Sequence, residues 1–223
     1  MPKETFFNLK AEKRLLICHV ALQEFGQYGV HGASLNRLVR NAGIAKGSFY
    51  QYFDDMNDLL MHLVMDLAQR KVAHLEQASA ELKQDDFYQN LAGLFSASID
   101  FHTHLNDAER RFSEQFSNNP TAIRELLNNE NMSQYREKTH QDLFSPLINQ
   151  AIEAGDIVVE PDVAYVVIEQ LSSMIRLYLQ RTHSNLNAAS DSKVIDSKNY
   201  QETVKRAVQQ FIQVIKPGLS GRH

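Results

Sequence analysis

The sequence predicts an all-α protein in two parts: a three-helix N-terminal domain over residues 1–53 and a larger helical domain over 54–223, entered by a long helix at about 55–82. Three observations support this. Apolar residues recur at i, i+3, i+4 and i+7 along most of the chain. No segment alternates with period two, and the IVV at 157–159 is too short and isolated to build a sheet. Breaks fall between the periodic runs, at Gly29, at Gly43 and in the polar stretch 184–199.

The first main helix is expected from about Leu9 to Tyr28, with Leu16, Ile17, Val20, Ala21 and Phe25 as its buried stripe and Gly29 as its end. Ser34 is the expected N-cap of a short second helix carrying Leu35, Leu38, Val39 and Ala42, which Gly43 stops. A very short third helix covers about Lys46 to Tyr52, and Asp54 or Asp55 then caps the long fourth. Further helices are expected at about 86–104, 107–118, 121–154 with a break near 128–131, 162–183 and 200–215. The stretch SNLNAASDSKVIDSKN reads as a mobile loop.

A chain of 223 residues with 43% hydrophobic content can bury a substantial core. The apolar run from Val163 to Leu179 is interrupted by Glu169 and Arg176, so no segment reaches the roughly 18 to 20 apolar residues of a membrane span. Lys10, Lys13 and Arg14 before LLICHVAL loosely mimic a secretion signal, but His19 interrupts the run and no small-residue cleavage site follows. The expected location is cytoplasmic. A single cysteine, Cys18, excludes an internal disulfide and sits in an apolar run, as a buried small hydrophobe does.

The net charge is −4, yet it is unevenly spread. Residues 1–53 carry seven Lys/Arg against three acids, a local +4, which leaves −8 on the remainder. This asymmetry suits a polyanionic partner that touches the N-terminal part, although an uneven solvated surface would look the same.

Residues 41–53, NAGIAKGSFYQYF, carry the most information. Phe49 and Phe53 are spaced i, i+4 and share one helix face, whereas Tyr50 and Tyr52 lie off it. Two short helices joined by a glycine turn, with a third packed behind, make a helix-turn-helix. Its last helix must be thin and exposed enough to enter a major groove about 12 Å wide. Phe49 and Phe53 anchor that helix, leaving Lys46, Gly47, Ser48, Tyr50, Gln51 and Tyr52 around its other side.

Residues 17–60 resemble the DNA-binding domain of the tetracycline-repressor (TetR) family of bacterial regulators. The resemblance runs in order through Ile17, Ala21, Phe25, Gly29, Ser34, Leu38-Val39, Ala42-Gly43-Ile44, Lys46-Gly47-Ser48, Tyr50, Tyr52-Phe53 and Leu59-Leu60. It implies that Tyr50, Tyr52 and Ser34 grip phosphates, that Lys46 reaches guanine or a phosphate, and that Gln51 reads adenine. Arg37 is a further base or phosphate candidate, and Lys10, Lys13 and Arg14 could touch flanking backbone. Each of these side chains, taken singly, reads equally well as a packing residue or a solvated charge. The family often has a lysine three residues after the motif's Phe, where this chain has Met56 beside Asp54, Asp55 and Asp58.

The helix expected at 162–183 has two apolar stripes, one through Ala164, Ile168, Leu171, Ile175 and Leu179 and another through Val163, Val166, Val167, Met174 and Leu177. The last helix adds Val204, Val208, Phe211 and Ile215. The resemblance implies a homodimer through these two helices, and the expected interface is Ile168, Leu171, Ile175, Leu179, Val204, Val208, Phe211 and Ile215. Paired recognition helices would then meet successive major grooves about 34 to 36 Å apart on a palindromic operator of double-stranded DNA. Both stripes could instead be satisfied within one chain.

The aromatic-rich middle of the chain is where a small apolar or amphipathic effector is expected, among Phe95, Phe101, His104, Phe112, Phe116 and Tyr135, which could equally be plain core. His102 and His104 point about 200° apart on a helix and cannot chelate one ion, and Asp100 with His104 lacks a third ligand, so no metal and no cofactor is implied. The expected function is a ligand-responsive regulator, a repressor released by its effector. The alternatives are a small helical enzyme using His102, His104 or His140 with Asp100 or Glu109, and a helical ligand-binding protein using the C-terminal part.

Overall fold

The computed structural model describes residues 1–82, 86–117, 130–168, 170–171, 174–175, 177–178 and 197–221. No strand forms among them. The helices are α1 (Glu4–Phe7), α2 (Ala11–Gly32), α3 (Leu35–Asn41), α4 (Lys46–Tyr52), α5 (Met56–Glu81), α6 (Phe87–Thr103), α7 (Asp107–Ser117) and α8 (Glu130–Glu153). They continue with α9, whose described positions run through 161–178, and α10 (Ser197–Ser220). Of the loop expected at 184–199, residues 184–196 lie outside the described residues and residues 197–199 belong to α10 instead; 118–129 and the end of α9 including Leu179 also lie outside them.

The chain divides into two compact units, Met1–Lys71 with His104–Arg136, and Val72–Thr103 with Glu137–His223. The first therefore extends beyond residues 1–53, taking in the start of α5 and all of α7, because Leu59, Leu60, Leu63, Ala108 and Phe112 share the core of α1 to α4. Phe112 lies edge-on to Phe25, 6.3 Å between centroids.

Local chemistry sets the helix ends in the first unit. At Gly29 the backbone takes φ 69° and ψ −179°, so α2 kinks there and its regular part ends near Tyr28. Gly43 has φ 61°, a left-handed conformation open to glycine at no steric cost, and the turn after α3 closes with Ile44 N–H donating to Val39 O at 3.0 Å. Asp55 caps α5, accepting the Asp58 N–H at 2.8 Å. Asn106 and Glu109 form a reciprocal capping box at α7: Asn106 Oδ1 accepts the Glu109 N–H at 3.1 Å, and Glu109 Oε2 accepts the Asn106 N–H at 3.0 Å.

The second unit has its own core, including Phe87, Leu91, Phe95, Phe144, Ile148, Ala164, Ile168, Leu171, Ile175, Val204 and Val208. Tyr88 joins distant segments by donating its hydroxyl towards Asp156 O at 3.2 Å, with the Lys216 ammonium over its ring. The 157–159 segment forms no strand, and its Val158 N–H donates to Leu219 O at 2.9 Å.

Most of the residues expected at a self-association surface lie in or against the second unit's own core. Ile168, Leu171, Ile175, Val204 and Val208 are buried within a single chain, and Phe211 and Ile215 pack against the same core. On α9, Val163, Val166, Met174 and Leu177 of the other stripe are exposed, as is Tyr178, whereas Val167 of that stripe packs against the core. Val214 of α10 is 75% exposed. No described helix is long and apolar enough to cross a membrane.

Candidate nucleic-acid interface

The third short helix forms where expected, and burial sorts its residues. Phe49 and Phe53 are fully buried, their rings 5.5 Å apart, and Phe53 also lies 4.8 Å from Phe6. On the other side Lys46, Gly47, Tyr50 and Gln51 are exposed, with Tyr50 at 47%. Ser48 and Tyr52 are half-buried, and the Tyr52 ring tilts against Phe6 at 6.3 Å, so Tyr52 is partly a packing residue.

An element not foreseen in the sequence holds α4 from its C-terminal end. The segment before and through α1 lies across the last carbonyls of α4: Lys3 N–H donates to Tyr52 O at 2.8 Å, Lys3 Nζ to Tyr50 O at 2.9 Å, and Thr5 Oγ1 to Gln51 O. Lys3 also pairs with Asp54 at 2.8 Å, which holds that carboxyl below its usual range. These contacts satisfy carbonyls a helix end leaves open and place a cation at the negative end of the helix dipole. The only sequence cue was Phe6 and Phe7, too short a run for periodicity to register.

The expected cationic contacts separate into two groups. Lys13 Nζ donates to Ala42 O at 2.9 Å and Gly43 O at 3.3 Å, closing the C-terminal end of α3. Arg14 Nη1 donates to Phe7 O at 2.7 Å and Leu9 O at 2.5 Å, and Arg37 is held by Glu24 and Gly32. These three cations are engaged with their own chain. Lys10 and Lys46 are exposed and form no ion pair among the described residues; nor does Arg40 on α3, which the reading of the sequence passed over. Ser34 stands at the N-cap position of α3, but its hydroxyl makes no cap bond; its N–H instead donates to Glu24 Oε1 at 2.7 Å. Met56 packs against the first core, so the place of the family's lysine is taken by an apolar contact.

The remaining candidate residues fall elsewhere. Phe95 and Phe101 are buried in the second unit, Phe112 in the core of the first, and His104 is exposed. The side chains of Phe116, Tyr135 and His140 lie outside the described residues. A concavity of about 320 Å³ between α6 and α10 is lined by Ser96, Ala97, Ile99, Asp100, Thr103, Val204 and Lys205. Among the described residues no three His, Cys, Asp or Glu side chains converge as metal ligands would. Burial, then the Asp66 carboxylate, pushes the Cys18 thiol up to about 11 against the opposing pull of Arg14, which makes it a poor nucleophile.

The family described as bacterial regulatory proteins, tetR family, matches residues 17–63, the stretch that holds α3, α4 and their supports. Over that stretch the match agrees with the resemblance to the TetR family read from the sequence. A TetR family transcriptional regulator from Chloroflexus aurantiacus is 28% identical, each chain covered over 98%, with a TM-score of 0.66. An HTH-type transcriptional regulator of Staphylococcus aureus (strain USA300) is 28% identical over 40% of this chain, and the match spans 45% of that relative's length. The fatty acid degradation regulator FadR from Bacillus halodurans, 19% identical with a TM-score of 0.65 over 92% of this chain and 97% of its own, shares the fold.

The Chloroflexus and Staphylococcus relatives are named as transcriptional regulators and not as enzymes. The enzyme alternative also loses a member in the structure. Glu109 is spent on the α7 cap and on the Arg70 guanidinium, 2.5 Å away, rather than held ready for acid–base work.

Proposed function

We propose that the protein is a ligand-responsive transcriptional repressor of the cytoplasm that binds a palindromic operator as a homodimer and is released by a small apolar or amphipathic effector. One observation carries the reading: α4 is pinned by the fully buried Phe49 and Phe53 while Lys46, Gly47, Tyr50 and Gln51 stand exposed on its other side. A rod held from behind and polar in front fits a major groove. Lys46 offers a donor to guanine or a phosphate, Gln51 the paired donor and acceptor that adenine requires, and the Tyr50 hydroxyl a phosphate bond.

Self-association is supported by the face of α9 that the chain leaves uncovered, Val163, Val166, Met174, Leu177 and Tyr178, which water disfavours. The effector is assigned to the second unit, whose core holds Phe95, where Phe101 is also buried, and which carries the concavity between α6 and α10. Release requires that the effector bind the DNA-competent and released states unequally.

The test is selection from a random duplex pool by the purified full chain at low salt, followed by light scattering of the complex with the enriched duplex. Enrichment of an inverted repeat bound by two copies supports the proposal. A pool that stays unenriched removes it.

A further inference from the structure

Glu24 is a buried carboxylate inside the helix-turn-helix unit, its side chain 3% exposed. Its Oε1 accepts three N–H groups: Ser34 N at 2.7 Å, Arg37 Nη2 at 2.6 Å and Arg37 Nε at 3.0 Å. Arg37 Nη2 donates further to Gly32 O at 2.7 Å, and the guanidinium carbon lies 3.8 Å over the Tyr28 ring. One edge and one face of the guanidinium are thus occupied. The contacts tie α2, the bend after Gly29 and the beginning of α3 into one joint.

The physics of a buried ion pair gives this joint a direction. A carboxylate out of water is tolerated only while its charge is matched and its lone pairs are satisfied. The planar fork of arginine can do both, whereas the ammonium of lysine is a point charge that cannot reproduce the two parallel bonds and the ring contact. Glu24 also lies at the positive end of α3, where an unmatched negative charge would oppose the approach of DNA phosphate.

We infer that Arg37 serves DNA binding through Glu24, as a positioning residue that neutralises the buried carboxylate and sets α3 against α2, and not as a contact to DNA. This rests on the reading of the chain as a DNA-binding regulator. It reassigns a cation that its place on the bracing helix otherwise marks as a phosphate or base contact.

Two conservative variants separate the roles, Arg37→Lys and Glu24→Gln, each measured by fluorescence anisotropy on the enriched duplex across a salt series, with thermal melts to show that the variant is folded. Arg37→Lys keeps the charge and loses the fork, so affinity is expected to fall about tenfold or more while the dependence of log K on log salt keeps its slope. Glu24→Gln makes the domain more positive, which alone favours DNA, yet affinity is expected to fall with an unchanged slope because Arg37 is no longer held. Wild-type affinity in Arg37→Lys, or binding as tight or tighter in Glu24→Gln, overturns the inference. So does a slope reduced by about one in Arg37→Ala, the signature of a lost phosphate contact. If Arg37→Ala fails to fold, the two conservative variants still decide. A wild-type protein that retains no duplex at low salt removes the functional proposal itself; wild-type binding with unaffected variants removes only this inference.

Discussion

A Cβ placed on Gly26 would lie 3.0 Å from the backbone nitrogen of Phe112 and 3.2 Å from the Cβ of Arg111, so α2 meets α7 at a point where only a hydrogen fits. Replacing Gly26 by Ala gains up to about 1 kcal/mol of helix propensity. The clash is with backbone, which cannot swing aside, and overpacking of this kind costs about 1 to 3 kcal/mol. The net expectation is a less stable protein in urea unfolding. A Gly26→Ala variant with a higher midpoint would show that α7 moves freely away from α2.

Gly47 presents the opposite geometry. It sits within α4, is exposed, and a Cβ on it would meet nothing within 4 Å. The chain's own packing does not require glycine there, and glycine costs a helix about 0.5 to 1 kcal/mol relative to alanine. On the proposed function, close approach of the DNA backbone would account for it. Gly47→Ala is therefore expected to raise the melting temperature and to weaken binding to the selected duplex. Tighter binding by the alanine variant would mean that nothing outside the chain approaches this position.

His62 stands among Phe6, Phe7 and Phe53, with ring centroids 5.4, 6.2 and 6.4 Å away. Burial lowers its pKa from 6.5, against the upward pull of Asp66 and Asp58. The unfolded chain therefore binds a proton that the folded one resists, and stability rises with pH in that window. The contribution is whole above about 6.5, falls away as the pH drops below it, and levels off below the folded value. In urea unfolding at a series of pH values, His62→Gln is expected to flatten this acid-side slope relative to wild type. Identical slopes would show that the imidazole titrates normally in its aromatic setting.

Val166 of α9 is 54% exposed and Val214 of α10 75% exposed, and both belong to faces the chain does not cover. Val166→Asp is expected to convert a dimer to a monomer in sedimentation at micromolar concentration and to weaken operator binding, while the melting of the secondary structure is little changed. The same substitution at Ile168, which is buried in the core, is expected to unfold the second unit. A Val166→Asp protein that sediments as wild type would place the association surface elsewhere.

The sequence was most legible where structure is local. Periodicity and the glycine at position 43 located α3 and α4, because an i, i+4 pair of phenyl rings and a left-handed turn are each decided within a few residues. It was least legible where a partner comes from far along the chain. Arg37 reads as a free cation until the bend after Gly29 brings Glu24 beneath it, and Lys13 until the turn after α3 brings Ala42 O and Gly43 O within reach. Both stripes of α9 are apolar, so periodicity alone could not tell the face that meets its own chain from the face that does not. The structure buries Ile168, Leu171 and Ile175 and exposes Val163, Val166 and Met174.

If the exposed side of α4 reads duplex DNA as proposed, Lys46 is the side chain to remove, being exposed and free of ion pairs among the described residues. Anisotropy titration of wild type and Lys46→Ala on the selected duplex and on a scrambled one, across a salt series, compares the two proteins. The variant is expected to lose about fivefold or more in affinity, or about 1 to 3 kcal/mol if Lys46 reaches a guanine, and to discriminate less between the duplexes. Lys46→Ala that binds both duplexes as wild type does, with the same salt slope, would contradict the proposal.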